Sequence, residues 1–109
     1  MSEDDPRLAT VRQNLRLAIA YRDTTAAEIS RAAGLSVNGL GSFLRAKSSI
    51  SYANLLRVCD ALRIPIGILH RPGAITPGRL ELQEALEGLS PDQVERALAL
   101  VEEERPPRP

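Results

Sequence analysis

Few side chains in this 109-residue chain could do covalent chemistry, and their spacing is wrong for it. There is one histidine, His70, and one cysteine, Cys59. One of each cannot make a zinc site, and a lone Cys leaves no intrachain disulfide. The chain has no HExxH pair, no glycine-rich phosphate loop after a strand and no supported Ser/His/Asp set. The usual routes to hydrolysis, phosphoryl transfer and metal catalysis are therefore missing, and no enzyme, metal or cofactor is expected. What remains is recognition chemistry, and it is concentrated. Residues 36–51 read SVNGLGSFLRAKSSIS. At helical spacing Leu40, Phe43 and Leu44 share one side, and residues 37, 38, 41, 42 and 45 share the other. Asn38 can pair bidentately with adenine, Val37 can touch a thymine methyl, and Gly41 admits close approach, with Ser42 beside them. Ser36, Arg45, Lys47 and Ser48 suit phosphates. So do the N–H groups at Thr25 and Ser51, where helix dipoles favour anions.

These residues need helices to hold them. Residues 7–22 carry Leu8, Val11, Leu15, Ala18 and Ile19 at spacings of three and four, an amphipathic helix with Pro6 before it. Its arginines fall mostly opposite and read as a solvated face. Thr25 with Glu28 three residues later is a capping box, in which each side chain accepts an orphan backbone N–H. It starts a helix over 26–33 that Gly34 ends, because Gly enters the left-handed conformation cheaply. Ser36 is the N-cap expected for a third helix, 37–45. Gly39 and Gly41 weaken that helix by about 1 kcal/mol each. Two readings of them stay open: small residues required by packing, or a helix that orders on its ligand. Ser51 caps a fourth helix over 52–63, and 66–69 form an apolar turn. Further on, Ser90-Pro91-Asp92-Gln93 is a strong helix start.

Composition sets the class. Apolar residues make up 43% and charged residues 26%, as in a soluble folded chain. The apolar runs are far too short for a membrane span, and the acidic N-terminus is not a secretory signal. The expected location is cytoplasmic, without membrane contact. The zero net charge hides an asymmetry. Residues 7–71 hold ten basic and three acidic side chains, whereas residues 72–109 hold four and eight. A basic body with acidic ends favours a polyanionic partner on the body. The expected organisation is a disordered acidic N-terminus (1–6), a DNA-binding body (7–71), a linker (72–78), a helical oligomerisation segment (79–104) and a disordered end (105–109). Cys59 reads as an inert buried thiol, His70 as a surface residue, and Tyr21 and Tyr52 as partial core.

The stretch TAAEISRAAGLSVNGLGSFLRAKSSISYANLLRVCDALRIPIGIL has a capped helix, a G-L-S turn at residues 34–36 and an L-L-x-x-x-x-A-L stripe. With these, residues 11–69 resemble the lambda-repressor-like, XRE/Cro-type helix-turn-helix family. The resemblance implies an all-α bundle of four to five helices containing a helix-turn-helix, here followed by a C-terminal helical tail. It implies base readout from Val37, Asn38 and Ser42. The chain departs from the family pattern in several places. Ala26 stands where the family commonly has a phosphate-binding Gln, and Ala46 stands for a Gly. Ile19 and Leu44 stand for an Arg–Glu pair, so those two side chains are expected to pack together. The implied function is sequence-specific binding of double-stranded operator DNA by a bacterial or phage repressor acting as a homodimer. Its dimer interface is expected at Leu82, Leu86, Val94, Leu98 and Val101, an apolar stripe that must be buried somewhere. The alternatives are an antitoxin-type regulator whose tail holds a partner protein, and an interaction module of the same fold without DNA binding.

Overall fold

Asp5 starts the first helix. Its side chain accepts from the Arg7 N–H, and Pro6 follows at a position that needs no donor. The resulting helix, α1, spans Pro6–Tyr21. The computed structural model describes residues 5–106. Asp5 and Pro6 thus belong to the helix start, although the unstructured N-terminus was expected to run through residue 6; residues 1–4 lie outside the described ones. Helix α2 (Ala26–Ala32), α3 (Gly39–Leu44) and α4 (Tyr52–Leu62) follow, then a 3-10 turn at Ile66–Ile68, α5 (Pro77–Glu87) and α6 (Pro91–Glu104). The described residues are helical with no strand, the expected all-α class.

The chain divides into two compact units, one up to Pro77 and one from Gly78. In the first, Leu15, Ala18, Leu40, Phe43, Val58, Leu62 and Leu69 are almost fully buried. Arg7 and Arg16 of α1 are exposed, as the expected solvated face requires, and Arg12 departs from it. Arg12 is buried; its Nε donates to the Phe43 carbonyl at 2.8 Å, and its guanidinium lies 4.8 Å from the Phe43 ring centroid. Arg16 donates to the Leu44 carbonyl. Arg22 donates to the Leu62 and Arg63 carbonyls, both at 2.8 Å. The last carbonyls of a helix have no partner within it and carry its negative dipole end. Arg12 and Arg16 of α1, with Arg22 at its C-cap, therefore cap the C-termini of α3 and α4. Ile19 is half-buried and Leu44 buried, and the Arg16 bond to Leu44 supplies a polar link from α1 to the end of α3.

Asn14, fully buried, donates through its amide to the Leu69 carbonyl at 2.6 Å and the Arg71 carbonyl at 3.0 Å. It ties α1 to the segment after the 3-10 turn. The expected linker, 72–78, is also partly structural: Ala74 and Ile75 are buried, and Pro77 and Gly78 already lie in α5. In the second unit, Ser90 accepts from the Gln93 N–H while Gln93 accepts from the Ser90 N–H, the reciprocal cap the sequence predicts. Arg105, expected in the disordered end, closes α6 and pairs with Glu102 at 3.2 Å. Residues 107–109 lie outside the described ones.

Candidate nucleic-acid interface

The turn from α2 to α3 begins at Gly34, whose φ of +79° would strain any residue with a Cβ. Val37 and Asn38 then form a turn, so α3 begins at Gly39 and not at 37. The cause is a hydrogen bond that the sequence reading missed. Ser30, fully buried on α2, accepts the Leu40 N–H on its Oγ at 3.0 Å. The Gly39 N–H goes to the Ser36 carbonyl at 2.9 Å. The start of α3 is thus held by Ser30 from the neighbouring helix, and the expected side-chain cap from Ser36 is replaced. Ser30 directly follows the inward Ile29, and a serine at such a position was the available signal.

This start leaves Val37 and Asn38 exposed, and the Asn38 side chain makes no cap bond. The two glycines separate. A Cβ on Gly39 would lie 3.2 Å from both Cβ and Cδ2 of Leu35, a tight contact that glycine relieves. A Cβ on Gly41 would meet only the flexible Arg45 guanidinium, at 3.2 Å from Nη1. Gly41 therefore keeps a surface open. Ser42 accepts from the Ser48 hydroxyl at 3.0 Å, joining the outer side of α3 to the following loop. Ala46, with φ +59°, ends α3 in the left-handed conformation usually left to glycine.

Three of the candidate phosphate ligands come together. Ser36, Ser48 and Ser51 line one concavity of about 380 Å³ with Gly39 and Asn54. Among the described residues no acidic side chain lines it. Ser51 caps α4 by accepting the Asn54 N–H at 3.0 Å, so the positive end of that helix adjoins the concavity. Arg45 and Lys47 are exposed, and among the described residues neither pairs with an acid. Thr25 stands apart. It accepts the Glu28 N–H at 3.1 Å, as expected, but the Glu28 carboxylate takes the Thr24 and Thr25 hydroxyl protons and not a backbone N–H. A carboxylate therefore sits at the start of α2, which opposes an anion at Thr25.

Tyr52, expected as partial core, is 68% exposed at the first position of α4. The five residues expected at a dimer interface, Leu82, Leu86, Val94, Leu98 and Val101, are 39–60% exposed. Burial pushes the Cys59 thiol up to about 12, with Asp60 adding to the effect, and the residue is inert at neutral pH. His70 is exposed. Among the described residues no helix is long and apolar enough to cross a membrane. Comparison with protein-family models, curated proteins and solved structures finds no match.

Proposed function

We propose that the body of this chain is a sequence-specific DNA-binding module, with α2, its turn and α3 acting as a helix-turn-helix. The chain would serve as a transcriptional regulator, a repressor of bacterial or phage type that holds operator DNA as a homodimer. One observation carries the reading: exposed Val37 and Asn38 and half-buried Ser42 adjoin a polar concavity in which Ser36, Ser48 and Ser51 meet and which no acid among the described residues lines. Groove contacts specify and phosphate contacts position, and this surface offers both side by side. With α3 in the major groove, Asn38 faces a base edge, Val37 a methyl and Gly41 the closest approach. Arg45, Lys47 and the concavity's hydroxyls take the flanking phosphates. Arg12, Arg16 and Arg22 hold α3 and α4 from behind and have a structural role.

A single body reads few base pairs, so the homodimer is part of the proposal, formed through the exposed stripe of α5 and α6. The same stripe favours a second reading, in which the tail holds a partner protein as antitoxin-type regulators do. The test is selection of bound sequences from a random DNA pool, followed by anisotropy titration of the best site and of random DNA over a range of salt. A regulator enriches a two-fold sequence and binds it at least a thousandfold tighter than random DNA, the order of magnitude of specific recognition. No enrichment at low salt overturns the reading.

A further inference from the structure

Lys47 is the only lysine among the 14 Lys and Arg residues of the chain. All the others are arginines, whose guanidinium keeps its proton and is therefore no nucleophile. Lys47 thus carries the one ε-amine, and it is exposed and paired with no acid among the described residues. Its place is as singular as its type. A second concavity, of about 450 Å³, lies behind α3, with Val11, Phe43, Tyr52 and Leu55 in its apolar lining and Lys47 on its wall. Ser48, Ser49 and Ile50 line both this groove and the polar concavity of Ser36 and Ser51, so the two share a wall. Lys47 directly precedes that wall, one amine between an apolar hollow and a hydroxyl-lined one. Ser51 spends its Oγ on accepting the Asn54 N–H, which leaves its O–H to donate, and Ser49 is exposed.

We propose that Lys47 is an acylation site whose donor is a short-chain acyl phosphate lying across the shared wall, its hydrocarbon chain in the apolar groove and its phosphate on the serine hydroxyls. The unprotonated Nζ attacks the acyl carbon. The C–N bond forms, the C–O bond to phosphate breaks, inorganic phosphate leaves with that electron pair, and the proton lost from Nζ passes to water. The product is an uncharged amide whose chain stays in the groove. Each methylene buried tightens binding by about fourfold, so the groove favours butyryl over acetyl. The hydroxyls favour a phosphoryl leaving group over an uncharged one. Arg12 also lines the groove, but it is engaged by the Phe43 carbonyl and ring and takes no part in the chemistry. A consequence rests on the DNA-binding reading above: acylation removes one of the two cations beside α3, so DNA affinity falls and the salt slope becomes shallower by about one. The acylation itself is independent of that reading.

The test uses the full chain without DNA, so it is blind to whether the protein binds DNA. Butyryl phosphate, acetyl phosphate and an uncharged butyryl thioester are each incubated with the native protein and with the protein in concentrated urea, which corrects for the intrinsic reactivity of each donor. Acylation is read by mass spectrometry, because an acylated Lys47 blocks tryptic cleavage before Ser48. With butyryl phosphate the native rate is expected to saturate with donor and to exceed the urea rate by about tenfold or more. That excess is expected to be roughly threefold or more smaller for acetyl phosphate and for the thioester. Ser49→Asp, an exposed change at the phosphate seat, is expected to cut the butyryl phosphate excess by about tenfold through like-charge repulsion. Leu8→Glu, at the half-buried rim of the groove, is expected to erase the preference for butyryl over acetyl. A native rate that is linear in donor and no greater than the urea rate overturns the proposal, as does an equal excess for all three donors. So does a Ser49→Asp variant that is folded by circular dichroism and keeps its full excess.

Discussion

Replacing Ser30 by Ala tests how the proposed reading helix is held. The change deletes one oxygen from a fully buried site and leaves the Leu40 N–H without its acceptor. Leu40 is also fully buried, so water cannot take over without opening the packing. A buried donor left unsatisfied costs about 1–3 kcal/mol. The helix it starts has only six residues, two of them glycine, so little intrinsic propensity offsets the loss. A value of about 2 kcal/mol lowers the melting temperature by roughly 10 °C in a domain of this size. It also raises local opening at α3 by a factor of about 30. Urea denaturation followed by circular dichroism reads the first quantity, and hydrogen exchange at the Leu40 amide reads the second. Ser36→Ala is the matched control. Its side chain makes no cap bond, so the change should stay within about 0.5 kcal/mol. Sequence reasoning alone ranks the two the other way, with Ser36 as the cap. If Ser36→Ala costs as much as Ser30→Ala, the account of the helix start is wrong.

Asn38→Ala should cost roughly 1–3 kcal/mol at a selected site and nothing on random DNA, whereas Lys47→Ala should weaken both alike; anisotropy with the two DNAs separates them. Ala46→Gly should stabilise the fold by about 1 kcal/mol in chemical denaturation, because φ +59° strains alanine by about that much. Leu98→Glu with Val101→Glu should convert a dimer at tens of micromolar to a monomer in sedimentation; a monomeric parent or a dimeric variant refutes the tail interface. The raised Cys59 pKa makes stability greatest below about pH 9, where the thiol is neutral in both states, and erodes it as pH rises towards 12. Denaturation midpoints at rising pH should therefore fall more for the parent than for Cys59→Ala.

The elements that announce themselves locally were legible. Thr25, Ser51 and Ser90 each cap the helix that their spacing predicts, and Gly34 ends α2 with a positive φ. These signals were readable because cap and helix lie within four residues of each other. What was not legible is long-range and aimed at backbone. Arg12 reaches a carbonyl 31 residues on, Arg22 one 40 residues on, and Asn14 one 55 residues on. A carbonyl has no sequence identity, so nothing at Phe43, Leu62 or Leu69 marks it as a target. Ile75 was hidden for a different reason: prolines and glycines around it outweighed one isoleucine, yet it is buried. Within the candidate site, outward residues followed from helical periodicity, but the two-residue delay of α3 depended on Ser30.

The carbonyl-capping arginines change what the basic body can do to DNA. Ten cations in residues 7–71 suggest a strong polyanion binder. Arg12, Arg16 and Arg22 are held on carbonyls, Arg7 on Asp5, and Arg57 donates to Asn54 at 2.7 Å. Half of the ten are thus engaged within the fold, and the cations beside α3 are Arg45 and Lys47. Each phosphate neutralised contributes about −0.9 to the slope of log affinity against log salt. Two cations per body give about −2 for one body and about −4 for a pair on the same site. Under the proposed function, one body alone would therefore gain little from charge, and doubling on a two-fold operator would be the means of reaching useful affinity. A slope near −4 at a selected site, falling to about −2 when the tail stripe carries the two glutamates, fits this division of labour. A slope near −10 would mean that cations well away from α3 also reach phosphates, and would overturn the assignment of phosphate contact to Arg45 and Lys47 alone.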